Sequence, residues 1–356
     1  MPRLEARLTT PRLLWLGAPL LALGFTLAVT SLLVAWAGAP VGKAYALLLQ
    51  GGFGSRFALT ETLTRATPLI FTGLAAALAF RARLFNIGAE GQLYLGALAA
   101  VAVGGSTPAA AMLPPWGLFG LMLAAAAAAG ALLLLLPALL KNRFAVDEVV
   151  TTLLLNFIVL LFVGAMLDGP MKDPASMGWP QSVALPDSLQ LAKLVPRSRL
   201  HSGLLMALAA ALLLWALLRL TTFGFEIRAV GATPRAAAFA GMPVAWVTVR
   251  VALLSGALAG LAGAVEVAGR AGYVTLDMSP GYGFSGIVIA MLAALHPLAV
   301  VAAAVFVAGI LVGADSMSRA VNVPTYIADV IVAVALLAML VATLFTRYRL
   351  RWHRAG

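Results

Sequence analysis

The chain has 356 residues, of which 62% are hydrophobic and 10% are charged, and its mean hydropathy is +1.01. Soluble domains carry roughly 25% charged and about 45–50% apolar residues, so this composition excludes a soluble globular protein and predicts an integral membrane protein. The formal charge of +11 does not indicate nucleic acid, because most basic residues stand at the ends of apolar stretches, where they set topology and contact membrane lipids. The absence of cysteine excludes disulfides and thiolate metal sites.

Apolar stretches of about 20 residues, the length that crosses a bilayer, recur along the whole chain. They predict an all-α integral membrane protein with about ten transmembrane helices in one domain over residues 1–356. We interpret Gly38–Phe57 as an outside loop and Asp168–Arg199 as the longest polar connection. The predicted spans are Leu13–Ala37, Leu59–Phe80, Asn86–Gly104, Trp116–Leu140, Val149–Leu167, Leu200–Leu220, Trp246–Ala268, Phe284–His296, Pro297–Val312 and Ile327–Thr346.

The basic residues predict that both termini lie in the cytoplasm. Met1–Thr10 has no small-residue cleavage site before the first span, so we expect a retained tail rather than a signal peptide. With this start inside, fourteen basic residues fall inside and eight outside, as the positive-inside rule requires. Asp168–Arg199 then faces the periplasm, and the polar segment Thr221–Val244 faces the cytoplasm.

Thr221–Val244 is predicted to contain one short, well-capped helix at about residues 233–241. Thr233 can cap the helix with its hydroxyl, Pro234 suits the first helical position, and Gly241 offers a left-handed end. The alanine-rich run Arg235–Ala240 between them favours helix. At about 1.5 Å per residue the helix is roughly 10 Å long, too short to span a bilayer and suited to a partner's groove. An ordinary loop helix explains the same pattern.

Two glycine-punctuated segments enter the membrane at corresponding places, LFNIGAEGQLYLGA at Leu84–Ala97 and SPGYGFSGIVIAML at Ser279–Leu292. The first enters from inside and the second from outside, which is typical of an inverted repeat around a midplane pathway. Asn86, Glu90 and Gln92 stand at membrane depth, where polar groups face a cavity or another helix. A helix-end turn with interhelical hydrogen bonds is the alternative, and the residues alone leave both open.

Further polar and small residues within the spans predict helix contacts. Glu266 and Arg270, like Glu61 and Arg65, have the i, i+4 spacing of ion pairs, which we interpret as structural clasps at the rims of spans. Ser255–Gly263 includes a GxxxG pattern, which predicts close helix packing within the chain or against a second subunit.

Thr221–Val244 resembles the coupling-helix motif of permease subunits in bacterial ABC importers, in the superfamily of ribose, nucleoside and branched-chain amino-acid permeases. In that family the helix sits in a cleft of the ATPase subunit and transmits its closure to the pore. The string FNIGAEGQ is more specific, because it resembles the signature of the nucleoside-importing permeases, and the resemblance continues through Ser279–Pro297 and Met317–Pro324. The sequence departs at Gly286–Ala294, where relatives more often have alanine for Gly286 and a Leu-Gly pair near the end. The residues assigned to ATPase coupling are Gly224, Glu226, Arg228, Gly231, Pro234, Arg235 and Gly241.

The resemblance implies a type II-like ABC importer permease of the bacterial inner membrane that moves nucleosides inward. It implies an ATPase subunit that binds ATP and Mg, so that this chain needs no cofactor of its own. It also implies a second permease subunit, in a heterodimer, and a periplasmic or lipid-anchored substrate-binding protein. We place the translocation pathway at Asn86, Glu90, Gln92, Asn156, Tyr282 and Ser285.

Two alternatives differ in substrate or in energy source. A permease for simple sugars or branched-chain amino acids lies in the same superfamily, but FNIGAEGQ argues against it. A proton- or sodium-coupled secondary transporter would use a membrane carboxylate and leaves the capped helix unexplained. Gly38–Lys43 is one residue short of a phosphate-binding loop and lacks its hydroxyl, so we do not expect this chain to hydrolyse ATP. The candidate titrating carboxylates are Glu61, Glu90, Glu266 and Asp329.

Overall fold

A computed structural model of the chain describes residues 2–6, 12–105, 112–321 and 348–352, together with residues 326, 330, 333–334, 337–338 and 341–342. The predicted tenth span, Ile327–Thr346, lies largely outside the described residues, as does the end of Met317–Pro324. Asp329 also lies outside them.

Helices make up nearly all of the regular structure, as predicted. In the described part of the chain, the one exception is an antiparallel ribbon in which β1 (Pro2–Ala6) pairs with β2 (Tyr348–Trp352), which the all-helical prediction did not include. The helices are α1 (Arg12–Trp36), α2 (Val41–Phe53), α3 (Arg56–Arg81), α4 (Ala89–Gly104), α5 (Pro115–Phe144), α6 (Glu148–Asp168), α7 (Gly203–Leu220), α8 (Thr222–Ala232), α9 (Pro234–Phe239), α10 (Val244–Glu266), α11 (Tyr282–Leu292) and α12 (Pro297–Val321).

Among the described residues, six helices are long and apolar enough to cross a membrane, and a seventh crossing results if the bent pair Gly24–Trp36 and Val41–Phe53 is one span. Two of the predicted spans are short apolar helices, α4 with 16 residues and α11 with 11. The predicted count of ten crossings is therefore not confirmed for the described part of the chain.

The prediction of an outside loop at Gly38–Phe57 is wrong, because α2 occupies most of it at an angle of 114° to the end of α1. The glycines that suggested a loop serve close packing instead. A Cβ on Gly52 would overlap the carbonyl oxygen of Gly309, and one on Gly313 would overlap that of Leu48. Glycine at these contacts lets the backbones of α2 and α12 approach directly.

The chain divides into two compact units, Met1–Leu59 with Gly309–Gly356, and Thr60–Ala308. The first unit contains a small apolar core made by α1, α2 and the end of α12. The second contains the remaining helices and both of the glycine-punctuated segments. That the whole chain acts as one permease domain stays a prediction.

Helix α10 is the packing centre of the second unit, where its small residues contact α5 and α4. A Cβ on Gly256 would overlap the carbonyl oxygen of Gly130 in α5, and one on Gly263 would overlap that of Leu93 in α4. The GxxxG pattern of Ser255–Gly263 therefore serves packing inside this chain, because only glycine allows the backbones so close.

Residues 169–202 form the predicted long polar connection, which contains one short turn at Asp187–Leu189 and two isolated antiparallel bridges, Lys172 with Ser182 and Lys193 with His201. The connection is nevertheless tied to the polypeptide that follows α10. The N–H groups of Ser182 and Leu185 donate to the carbonyls of Val274 and Gly272 at 3.0 and 2.8 Å. These bonds satisfy backbone groups that would otherwise need water.

Candidate translocation and coupling sites

The polar segment after α7 forms two consecutive helices rather than one. Thr221 caps α8 by accepting the N–H of Gly224 on its hydroxyl at 3.0 Å. Thr233 ends α8 and precedes α9, and its own N–H donates to the carbonyl of Ala229 at 3.1 Å. The predicted hydroxyl cap by Thr233 is wrong, because its hydroxyl accepts no N–H from α9. Thr233 is both the residue that ends α8 and the residue that precedes α9, and its backbone is extended.

The end of α9 agrees with the prediction. Gly241 has a φ of +82°, the left-handed conformation that glycine adopts without strain. Its N–H donates to Ala238 and that of Met242 donates to Ala237, both at 3.0 Å. This pair of bonds is the Schellman motif, which satisfies carbonyls left free at the end of a helix.

Three of the predicted coupling residues hold α8 to its own chain. A Cβ on Gly224 would overlap the carbonyl oxygen of Leu218, and one on Gly231 would overlap that of Arg81. Arg228 donates to the carbonyl of Leu218. Gly224 and Gly231 therefore serve contacts of α8 with the ends of α7 and α3, where there is no room for a side chain.

The outer face of α9 carries the groups available to a partner. Arg235 is exposed, and Phe239 has 97% of its surface exposed. Sequence reasoning missed Phe239, although a large apolar residue within an alanine-rich polar segment was a signal that could have found it. Glu226 and Pro234 are half-buried, and Gly241 is exposed.

The first glycine-punctuated segment is held by a buried amide pair. Asn86 and Gln92 exchange two side-chain hydrogen bonds of 2.9 Å each. The Asn86 amide also donates to the hydroxyl of Ser255 on α10 at 3.3 Å, and its oxygen accepts the N–H of Gly88 at 2.9 Å. The turn before α4 is thus fixed by side chains that are themselves buried.

Asn156 of α6 completes the broken backbone at the same place. Its oxygen accepts the N–H of Gly91 and its amide donates to the carbonyl of Ile87, both at 2.8 Å. Irregular backbone at membrane depth is tolerated where a neighbouring helix satisfies its polar groups. The Asn156 side chain therefore forms the hydrogen bonds that a continuous helix would have supplied to this segment.

Glu90 links the two glycine-punctuated segments. Its carboxylate accepts the N–H of Gly283 at 2.5 Å, in the first turn of α11. The backbone N–H groups of a first turn lack helical partners and carry partial positive charge, so a carboxylate stabilises them. The starts of α4 and α11, which the sequence places in different halves of the chain, therefore meet at Glu90. The inverted repeat itself stays a prediction.

The remaining residues predicted to line the pathway lie on α11. Tyr282 is buried, and its carbonyl accepts the hydroxyl of Thr72 at 2.9 Å. Ser285 is half-buried, and its hydroxyl makes no hydrogen bond within the described residues. Gly286 departs from the pattern of relatives, and a Cβ there would lie 2.7 Å from Thr72 atoms. This departure belongs to the packing of α11 on α3.

The predicted Glu266–Arg270 ion pair is confirmed at 2.6 Å, but it is more buried than an exposed rim would be. Glu266 has 0% exposure, and Arg270 also donates to the Tyr282 hydroxyl at 3.3 Å. Arg270 belongs to a wider, π-type turn at Val267–Ala271, which extends α10. Such turns are frequent at functional sites. Glu61 lies 4.0 Å from Arg199 of the long connection.

The amino-acid sequence of the chain matches a known protein family. A family model described as the permease component of the branched-chain amino acid transport system covers residues 58–343. The chain belongs to this permease family. It is therefore a multi-pass membrane transport subunit of an ABC transporter rather than an enzyme, and the ion-coupled alternative is wrong. This membership implies an ATPase partner and a substrate-binding partner.

Three relatives illustrate the range of the family. The chain is 40% identical to the glucose ABC transporter permease protein TsgB13 of Haloferax volcanii, over 98% of this chain and 93% of that protein. It is 39% identical to the guanosine ABC transporter permease protein NupP of Bacillus subtilis, over 92% of this chain and 93% of that protein. A second Bacillus subtilis protein, the guanosine ABC transporter permease protein NupQ, is 30% identical over 69% of this chain and 77% of its own length.

Proposed function

We propose that the chain forms the membrane pathway of an importer that takes up nucleosides, driven by ATP that a separate ATPase subunit binds with Mg and hydrolyses. The observation that carries this substrate class is the 39% identity to a guanosine permease over 92% of the chain, together with FNIGAEGQ. The half-buried Ser285 hydroxyl at the start of α11 suits a neutral solute with hydrogen-bonding groups better than a charged one.

The pathway residues act in two ways in this proposal. Asn86, Gln92 and Asn156 position the first broken segment, and Glu90 joins it to α11. Tyr282 and Ser285 lie at the start of α11, where the half-buried Ser285 hydroxyl is available to a passing solute.

Coupling to the ATPase runs through α8 and α9. Arg235 and Phe239 form the outward contact, while Pro234 and Gly241 set the length of α9. Glu226 anchors the flank of the outward contact. The inward contacts of α8 with α3 and α7 would pass a displacement of α9 to helices of the transmembrane bundle. The residues that make those inward contacts are Gly224, Arg228 and Gly231.

We place the assembly in the bacterial inner membrane, with both termini cytoplasmic. The β1–β2 pairing supports only one part of this placement, that the two ends lie on the same side of the membrane. A heterodimer with a second permease is supported by the two guanosine permease proteins named from Bacillus subtilis. Residues 168–199 would face the substrate-binding protein.

Uptake of a sugar is the second candidate, because the chain is 40% identical to a glucose permease. Uptake of labelled guanosine by proteoliposomes that contain the complete transporter separates the two. We expect ATP-dependent uptake that unlabelled adenosine or guanosine inhibits and that glucose leaves unchanged. If glucose inhibits the uptake and the nucleosides do not, the proposed substrate is a sugar instead of a nucleoside.

A further inference from the structure

A pocket of about 380 Å³ lies where α3, α7, α8 and α12 come together, and its lining is strongly basic. Arg81 ends α3, Arg219 lies in the last turn of α7, and Arg228 lies on α8. His296, just before α12, also lines it. The chain therefore concentrates three permanent positive charges and one titratable group around one cavity.

No described acidic side chain pairs with these charges. Within the described residues, no carboxylate makes an ion pair with any of the three arginines. Arg81 donates to the carbonyl of Leu295 at 2.9 Å and Arg228 donates to that of Leu218, while the two guanidinium groups repel each other. Since a guanidinium has five N–H donors, most of this donor capacity is left for a ligand.

We propose that this pocket binds a phosphate-bearing anion, for which the headgroup of an anionic phospholipid is the favoured source. Guanidinium groups match the geometry of phosphate and bind it with paired hydrogen bonds. The lining also includes Pro297, the first residue of α12, and the N-terminus of a helix carries partial positive charge that favours anions.

The surroundings favour a lipid over a soluble anion. Trp215 lines the pocket in the last third of α7, and tryptophan is enriched at the boundary between membrane and water. On the same helix, Leu213 and Leu220 have 71% and 72% of their surface exposed. An acyl chain could lie along these leucines while its phosphate meets the arginines, as in basic pockets at the ends of membrane helices.

A bound phosphate would bridge Arg228 of α8 and Arg81 of α3. It would relieve their repulsion and strengthen the attachment of α8 to α3. This consequence for coupling rests on the proposed function, whereas binding of the anion does not.

The test measures lipid retained by the purified full chain in neutral detergent, by native mass spectrometry, with phosphatidylglycerol or phosphatidylcholine added. We expect retention of phosphatidylglycerol only. Arg219→Gln should weaken retention about fivefold, since one arginine near a membrane surface contributes about that factor. Arg143→Gln is the matched control, because Arg143 is an exposed arginine in the last turn of α5 that does not line the pocket. It should leave retention unchanged.

A second arm uses labelled inorganic phosphate without lipid. Binding of phosphate that Arg219→Gln weakens, with no preference between the two lipids, would support the site and identify its ligand as a soluble anion. Equal retention of both lipids without phosphate binding, or equal losses in Arg219→Gln and Arg143→Gln, would overturn the proposal. These measurements use no ATPase and no transported solute, so their failure is distinct from failure of the transport function.

Discussion

At the scale of single residues, the turn between α11 and α12 is strained. Ala294 and Leu295 both have left-handed backbones, with φ of 47° and 61°. Glycine adopts this conformation without a Cβ clash, whereas alanine and leucine do not. The sequence did not indicate this strain.

Ala294→Gly should stabilise the protein by about 1 kcal/mol, because it relieves the left-handed strain. Ala302→Gly is the matched control, since Ala302 is exposed within α12 and should lose about 1 kcal/mol in helix propensity. Thermal unfolding in detergent should move in opposite directions for the two variants. A loss of stability in both would show that Ala294 is unstrained.

The buried pair of Glu266 and Arg270 gives a second prediction. Glu266→Ala should cost about 3–5 kcal/mol, because it leaves the guanidinium partner without its counter-charge. Removing both side chains should cost clearly less than the sum of the single losses, since the double variant leaves no unpaired charge. Chemical denaturation of the three variants measures this coupling, and strict additivity would contradict it.

At the scale of elements, the glycine and polar residues predicted where helices break. They did not predict which side chains form hydrogen bonds with the backbone at those breaks. FNIGAEGQ placed an interruption before α4, yet the hydrogen bonds from Asn156 and the meeting of Glu90 with α11 join residues distant in sequence. Gly52 shows the opposite case. It suggested a loop, but α2 forms there. Glycine is needed both in turns and where two helices pack closely, so the residue alone does not distinguish them.

The long connection provides a pH-dependent prediction. Burial, with the nearby Arg270 charge, lowers the pKa of His201 from 6.5 to about 4. Between pH 6.5 and about pH 4, the His201 imidazole is protonated in the unfolded loop but stays neutral in the folded loop. Its stability should therefore be complete above pH 6.5 and fall by roughly 1.4 kcal/mol per pH unit toward pH 4.

Hydrogen exchange of the Leu191 and Leu194 amides measures this effect, because both donate backbone hydrogen bonds in the loop. Protection should decrease as the pH is lowered, after correction for intrinsic exchange. His201→Gln should remove the dependence even if it lowers protection overall. A pH-independent protection in the unmodified chain would contradict the lowered pKa.

At the scale of the whole molecule, composition alone was sufficient to predict a helical membrane protein, and two motifs were sufficient to predict its family. The number of crossings was not, because hydropathy does not distinguish a short broken helix such as α4 from a full span. The predicted coupling residues all fall on α8, on α9 or directly after α9, and their role in coupling stays a prediction. Which of them face outward depends on packing: Gly231 meets the end of α3, whereas Arg235 and Phe239 project from the surface.

Affinity capture of the tagged chain from native membranes in mild detergent determines whether α9 connects this subunit to an ATPase. We predict that an ATPase subunit and a second permease accompany the chain. Arg235→Glu and Phe239→Ser should each weaken retention of the ATPase, by about 2 kcal/mol or roughly thirtyfold for a central aromatic contact. Arg197→Glu, in the long connection, should change nothing. A chain that is captured alone, or variants that retain the ATPase fully, would contradict the account.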